Sequence, residues 1–322
     1  MGGQSIFHQE PLTVAFLQTP PQVTSPTPLR AYPALSAALG VNLWVKHDDE
    51  FPDAGGGNKV RKLQFIFAEA ERSGCDAIVT TGGASSNHVR AAALLSARRG
   101  WLARVIIHDP EPAAWSANLR LARLAGAELT FCNHAALPSA MDAAMDELRG
   151  AGLCPCYIWG GGHTPAGGQA FRAAAFELAD QCVERAVRPD FIVVASGTGT
   201  TQGGLHVGAS VALPHTSVLG ISVSHDRAGG MHRVQDTLRM LAAEGADRIE
   251  FHDEFLGGGY GRSDADQAET MRWAARTEAL LLDPIYTGKA FHGLRRLVAS
   301  GRIAPGSTIV FWHTGGLLNL LS

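Results

Sequence analysis

The chain has 322 residues, a length for one large or two moderate domains, and its 46% apolar and 18% charged content excludes a disordered chain. A formal net charge of −3 creates no field that would draw nucleic acid or an acidic membrane, so a small-molecule enzyme suits the balance. The five cysteines form an odd set without a CxxC pair, the first thirty residues carry no leader pattern, and no apolar run reaches ~18 residues. These features point to free thiols in a reducing compartment, and a cytoplasmic protein is expected.

Residues 1–40 read as an arm with several prolines (Pro20, Pro21, Pro26, Pro28), leading into a strand over 42–46. A buried strand at 77–80 is followed by a helix over 87–99, then a strand at 104–107 and a helix over 113–125. The strands at 128–131 and 156–159 precede helices over 138–149 and 167–184. A strand at 191–194 runs through a glycine-rich turn into a helix from about Gly203. The strand at 218–221 precedes helices near 230–243 and 265–281, and the last strand, 308–312, is closed by a short C-terminal helix. Short β-branched runs alternating with helices of ten or more residues indicate βαβ units and parallel sheet. No repeat or low-complexity segment appears. Ligands in open α/β sheets sit beyond the carboxyl ends of strands, so the loops there hold the candidates.

Four such loops stand out. Gly55-Gly-Gly-Asn-Lys59 places one of only four lysines at the mouth of a helix, where desolvation eases loss of its proton. Alone, a Gly-Lys pair is mostly a solvated surface lysine. Thr80-Thr-Gly-Gly-Ala-Ser-Ser86-Asn87-His88 ends a strand in glycines with Ser/Asn at an N-cap position, whose free N–H groups suit a carboxylate. It is not a GxSxG elbow, so serine-hydrolase chemistry finds little support. Ser196-Gly-Thr-Gly-Thr-Thr-Gln-Gly-Gly204 is a phosphate cradle by composition. Its G-x-G-x-x-x-G spacing fits neither the dinucleotide fingerprint nor a Walker loop, and favours a mononucleotide or pyridoxal phosphate. The fourth comprises Asp283-Pro-Ile-Tyr286-Thr287-Gly288-Lys289 and His313-Thr314-Gly-Gly316, each weak by itself. His88 and His313 are isolated in spacing, and no metal site is expected.

Taken together, these loops resemble the fold-type-II pyridoxal-phosphate enzymes, and within them the D-cysteine desulfhydrase and 1-aminocyclopropane-1-carboxylate (ACC) deaminase group. The resemblance runs from Pro26-Thr-Pro-Leu29 to Leu318, with all four loops in order. It implies a tryptophan-synthase-β-like α/β fold: two open, parallel-rich sheets flanked by helices, with the active site in the cleft between domains. A large cofactor domain would combine 1–60 with 165–322, and a small domain would span 61–164. The resemblance makes Lys59 the Schiff-base lysine for pyridoxal 5′-phosphate, with Asn58 beside it. Asn87 would bond the cofactor's 3′ oxygen, while Ser85, Ser86, His88 and neighbouring N–H groups meet the substrate carboxylate. Gly197, Thr198, Gly199, Thr200 and Thr201 would hold the phosphate. Thr314 would lie near the pyridine nitrogen, Tyr260 and Tyr286 match two family tyrosines with catalytic roles, and homodimers are common in the family.

The resemblance also frames the reaction. The amine of Lys59 is the natural base at the substrate Cα, and loss of a β leaving group would end in a keto acid and ammonia. Cyclopropane-opening members resemble Tyr-Glu-Gly-Lys where this chain has Tyr286-Thr287-Gly-Lys289. A hydroxyl in place of that carboxylate favours prompt β-elimination, hence the D-cysteine desulfhydrase branch, with sulfide as leaving group. Departures on the substrate side are Ser85 before Ser86, His47-Asp-Asp-Glu50 in place of Arg-Asp-Asp-Leu, and His163 where serine is usual. They keep open an L-cysteate sulfo-lyase, an ACC deaminase or a β-replacement enzyme. A serine/threonine dehydratase or racemase of the same fold, and a ligand-binding module with lost chemistry, are the remaining alternatives.

Overall fold

The computed structural model describes residues 26–243 and 248–321. Pro20, Pro21 and the rest of the proline-bearing arm up to residue 25 lie outside the described residues. From Leu29 the elements run β1 (Leu29–Ala31), α1 (Pro33–Leu39), β2 (Asn42–His47), α2 (Asn58–Arg72), β3 (Ala77–Gly82), α3 (Asn87–Ala97) and β4 (Leu102–Ile107). They continue as α4 (Ala117–Leu124), β5 (Glu128–Phe131), α5 (Leu137–Gly150), β6 (Pro155–Ile158), α6 (Pro165–Glu184), β7 (Phe191–Ser196) and α7 (Thr200–Ala212). The chain ends through β8 (Ser217–Ser222), α8 (Arg227–Met240), β9 (Glu250–His252), α9 (Ala265–Glu278), α10 (Thr287–Ala299), β10 (Thr308–His313) and α11 (Leu317–Leu320).

Two sheets result. One has six strands in the order β1-β2-β10-β7-β8-β9, and the other has four in the order β5-β4-β3-β6. Every pairing is parallel except β1 with β2. Central strands are apolar on both faces, as crossover helices covering both faces require. Along β10, Ile309 and Phe311 join the α10 residues Phe291 and Leu294 on one side. Val310 and Trp312 join Phe171, Leu178 and Leu205 of α6 and α7 on the other. In the smaller sheet Ile78, Val105 and Ile107 pack against α2 and α3, whereas Val79 and Ile106 pack against Met141, Met145 and Leu148 of α5.

A buried ionic cluster ties α2 to this framework. Arg61 meets Asp48 and Glu177, each at 2.7 Å, and Lys46 bonds Glu177 and reaches Gln181 at 2.7 Å. The turn after β2, helix α2 and helix α6 are thereby joined around one set of charges.

The structure departs from the sequence reading in four places. Residues 29–39 form a strand and a helix rather than the end of an arm. Helix α7 begins at Thr200, before the expected Gly203, because Gly199 in a left-handed conformation already serves as its N-cap. Helix α10 was unforeseen, although Ala290, Phe291, Leu294 and Leu297 repeat at helical spacing on its buried side. Strand β9, three residues at a sheet edge, was also unforeseen. Among the described residues no helix is long and apolar enough to cross a membrane.

Candidate active site

Parallel register sends the carboxyl ends of β2, β10, β7 and β8 to one edge, where His47 pairs with His313 and Ser196 with Ser222. The loops leaving these ends and those of the smaller sheet enclose a cavity of about 530 Å³, in the position the open α/β sheet dictates.

Lys59 lines this cavity as the second residue of α2. The turn before it needs glycine at Gly56, whose φ is +69° and whose Cβ would fall 2.0 Å from the Asp49 carbonyl oxygen. Arg90 of α3 fixes the same turn by donating from Nη2 to the Gly56 carbonyl at 2.8 Å. Among the described residues the Lys59 amine hydrogen-bonds only the Gly161 carbonyl, at 3.4 Å, and burial pulls its pKa down to about 8. Lys62, one turn later, approaches the same carbonyl at 3.3 Å but is not part of the cavity wall. Asn58 links three loops. Its backbone N–H donates to Thr314 O at 3.0 Å, and its side chain donates to Thr201 Oγ1 at 3.1 Å.

On the smaller sheet's side, Ser86 caps α3 by accepting from the Val89 N–H, and Ser86, Asn87 and His88 all line the cavity. Thr80 donates its hydroxyl proton to Ile158 O at 2.7 Å, so at the 2.8 Å contact with His88 the imidazole Nε2–H must donate. Nδ1 of His88 is then a bare acceptor, buried and without a partner. Burial, helped by Lys59 and Lys62, lowers the His88 pKa to about 3, so the ring is neutral.

The glycine loop after β7 contributes Gly197, Thr198, Gly199 and Thr201 to the wall. Gly199 has φ +75°, and a Cβ there would lie 2.6 Å from the Arg233 carbonyl carbon. No side chain caps α7, so its first-turn N–H groups are available to an anion. Ser196 Oγ is buried without a partner beside them. Arg233 lines the same cavity, and its charge helps to depress the pKa of both His163 and His225.

Tyr260 and Tyr286 share a hydrogen bond of 2.6 Å between their hydroxyls, and burial raises both pKa values, that of Tyr286 most. Both line the cavity, as does Thr314 after β10.

Four expected contacts do not reach the wall. Thr200 is fully buried, its hydroxyl bonded to His163 Nδ1 at 2.7 Å and to Thr198 Oγ1 at 3.3 Å. His163 is consumed by that bond, and burial with Lys62 brings its pKa down to about 4, leaving it neutral. Ser85 lies beside Tyr260, outside the wall. Thr287 donates to Asp283 Oδ1 at 2.7 Å and accepts from the Asp283 N–H at 2.8 Å, a closed pair that holds its hydroxyl away from the cavity.

The wall also holds residues the sequence reading passed over: His108, His134, Trp159, His225 and Arg233. The first four follow or end expected strands, so the strand-end rule could have found them. Arg233, inside α8, gave no such signal. Among the described residues no Asp or Glu lines the cavity.

The donor set suits an aldehyde-bearing phosphate ester. A nearly bare amine would supply a covalent anchor, and an uncapped helix start with an unpaired hydroxyl and an arginine would supply an anion cradle. Fold and cavity thus define an α/β enzyme of pyridoxal-phosphate fold type II.

The chain belongs to the pyridoxal-phosphate-dependent enzyme family, whose model matches residues 21–315, and its cofactor is pyridoxal phosphate. It is similar to a crystal structure described as an ACC deaminase homologue, at 30% identity over 92% of this chain and 90% of that one, with a TM-score of 0.83. The fold is shared with threonine deaminase isoform 2 from Solanum lycopersicum, at 16% identity, 92% and 81% coverage and a TM-score of 0.67. It is shared as well with a fungal L-serine ammonia-lyase from Rhizomucor miehei, at 17% identity, 90% and 93% coverage and a TM-score of 0.65.

Proposed function

We propose that this enzyme is a carbon–sulfur lyase that removes the α-proton and the β substituent of a small amino acid, with D-cysteine as substrate and keto acid, ammonia and sulfide as products. Pyridoxal phosphate supplies an aldehyde that takes the substrate amine and a ring that withdraws electrons from Cα. In this reading Lys59 holds the cofactor, the 197–201 loop and Arg233 hold its phosphate, and Asn87 and Thr314 orient its ring. Ser86 and the N–H groups opening α3 bind the substrate carboxylate. The Lys59 amine, already brought toward neutrality by burial, takes the Cα proton.

One observation carries the choice of reaction: among the described residues the cavity wall contains an amine and a paired tyrosine couple but no carboxylate. The carboxylates beside the Thr314 loop, Asp283 and Asp49, are held outside the wall, Asp283 by its own turn and Asp49 by His47 and His313. The Thr287 hydroxyl is tied to Asp283, and neither carboxylate is set to strengthen the pull on Cα. Such a site favours a substrate whose β group departs as the proton is taken, and a thiolate does so readily. In the Tyr260–Tyr286 pair one phenol donates its proton to the other, and the accepting phenol directs its own O–H to the departing sulfur.

The test is a panel of D-cysteine, L-cysteine, L-cysteate, L-serine and ACC, with assays for keto acid, ammonia, sulfide and sulfite. Pyruvate and sulfide from D-cysteine at the highest kcat/KM is the expected outcome. A four-carbon keto acid from ACC or sulfite from cysteate at a higher kcat/KM would overturn it, and no turnover by cofactor-loaded protein would leave a binding module. The same reading gives a large domain of 1–60 plus 165–322, a small domain of 61–164 and a cytoplasmic homodimer. Sedimentation at micromolar concentration checks the dimer.

A further inference from the structure

β4 and β5 pair in parallel with Ile107 opposite Phe131, so the residues leaving their carboxyl ends emerge side by side. His108 follows β4 directly and His134 lies just beyond β5. Their rings stack at 4.4 Å with a 26° interplanar angle, and both line the cavity mouth. Asp109 completes the group, and one donor atom from each of the three lies within 4.8 Å of the others.

Three details separate this cluster from an incidental one. First, His108 Nδ1 is buried and has no hydrogen-bond partner, an expensive state for a ring nitrogen. Second, it sits 3.6 Å from Asp109 Oδ1, too far for a hydrogen bond. That gap is close to the ligand–ligand edge of roughly 3.4 Å in a tetrahedral site with ~2.0–2.1 Å bonds. Third, Asp109 Oδ2 accepts the Ala84 N–H at 2.8 Å, which orients the carboxylate as outer hydrogen bonds orient metal ligands. A second cluster of possible ligands among the described residues, His47 with Asp49 and Glu50, lacks these features, because both His47 nitrogens are occupied by Asp49 and the Tyr32 hydroxyl. Two imidazoles beside a carboxylate suit a cation and disfavour a second anionic substrate group.

We propose that His108, Asp109 and His134 bind a divalent transition-metal ion, Zn²⁺ by ligand class, at the lip of the active-site cavity. The ion joins the loops after β4 and β5 and, through Asp109 and Ala84, the loop after β3 on which Ser86 and Asn87 stand. Three protein ligands leave a coordination position for water or a substrate donor atom.

Calorimetric titration of Zn²⁺ into chelator-treated holoenzyme, with Co²⁺ visible absorption as a second readout, tests this. One ion per chain is expected, with affinity at least ten-fold weaker in His134→Ala and in Asp109→Asn. His134 is exposed and asparagine keeps an acceptor for Ala84, so both variants should match the wild-type melting temperature in chelator. A variant with Cys75, Cys154 and Cys156 changed to serine should bind as the wild type does. The proposal fails if no saturable binding occurs at micromolar Zn²⁺, if both site variants bind normally, or if only the cysteine variant loses the ion.

Discussion

Lys59 has a short list of neighbours, and its reactivity follows from that. Burial without a compensating carboxylate lowers its pKa from 10.5 to about 8, since desolvation penalises the charged amine. The neutral amine is the form that attacks an aldehyde. The rate at which apoprotein takes up pyridoxal phosphate should therefore rise as pH increases through about 8 and level off above it, which stopped-flow absorbance can follow. A rate independent of pH between 6 and 9 would contradict this. Lys59→Ala should lower turnover by at least ~10³-fold, since it removes both anchor and base. At this scale the lysine and the glycine loop were legible as short motifs at a helix or strand end, whereas Tyr260 and Tyr286 came only from the family resemblance. The fate of the Thr287 hydroxyl was not legible, because it depends on the geometry with which Asp283 folds back on its own turn. The meeting of His108 with His134 was equally hidden, because strand register rather than sequence spacing creates it.

Among the elements, α7 would decide the quality of the proposed phosphate cradle. Gly199→Ala would force a side chain into a left-handed backbone conformation and against the Arg233 carbonyl, at a cost of about 1–3 kcal/mol. Weaker pyridoxal phosphate binding is expected, with little change for unphosphorylated pyridoxal, and equilibrium titration distinguishes the two. Equal weakening for both ligands would mean that the turn does not serve the phosphate. Further along α7, a Cβ on Gly208 would lie 2.5 Å from the Arg172 carbonyl oxygen of α6. Gly208→Ala should lower unfolding stability by about 1–3 kcal/mol in urea while leaving cofactor affinity unchanged. Most strands and helices were readable from β-branched runs and apolar spacing. The exceptions have physical reasons: α10 follows a loop rich in turn residues, α7 starts inside a glycine-rich stretch, β9 is too short to show a period, and β1 and α1 are short elements in a proline-bearing stretch.

For the molecule as a whole, the buried cluster of Lys46, Asp48, Arg61 and Glu177 binds helix α2, which carries Lys59, to the large sheet. Burial alone would raise the Glu177 pKa, but Arg61 and Lys46 override it and hold the carboxyl at about 2. A depressed pKa in the folded state stabilises the fold fully above the ordinary value of 4.5, and that contribution, about 3 kcal/mol, disappears as pH falls toward 2. Glu177→Gln should therefore be least stable relative to wild type near neutral pH, with the gap narrowing in acid. A gap that stays constant between pH 7 and 3 would assign the loss to packing alone. The fold class followed from the alternation of strands and helices together with the loop resemblance. This charge cluster did not, since its members are spread from residue 46 to residue 177 and only the fold gathers them.

The most direct test of the central claim is chemical. Borohydride reduction of the purified, cofactor-loaded protein, digestion and peptide mass spectrometry should place a pyridoxyl group on the peptide containing Lys59, with fragmentation excluding its neighbour Lys62. A pyridoxyl group on Lys62, Lys46 or Lys289, or on no lysine, would contradict the assignment of the site.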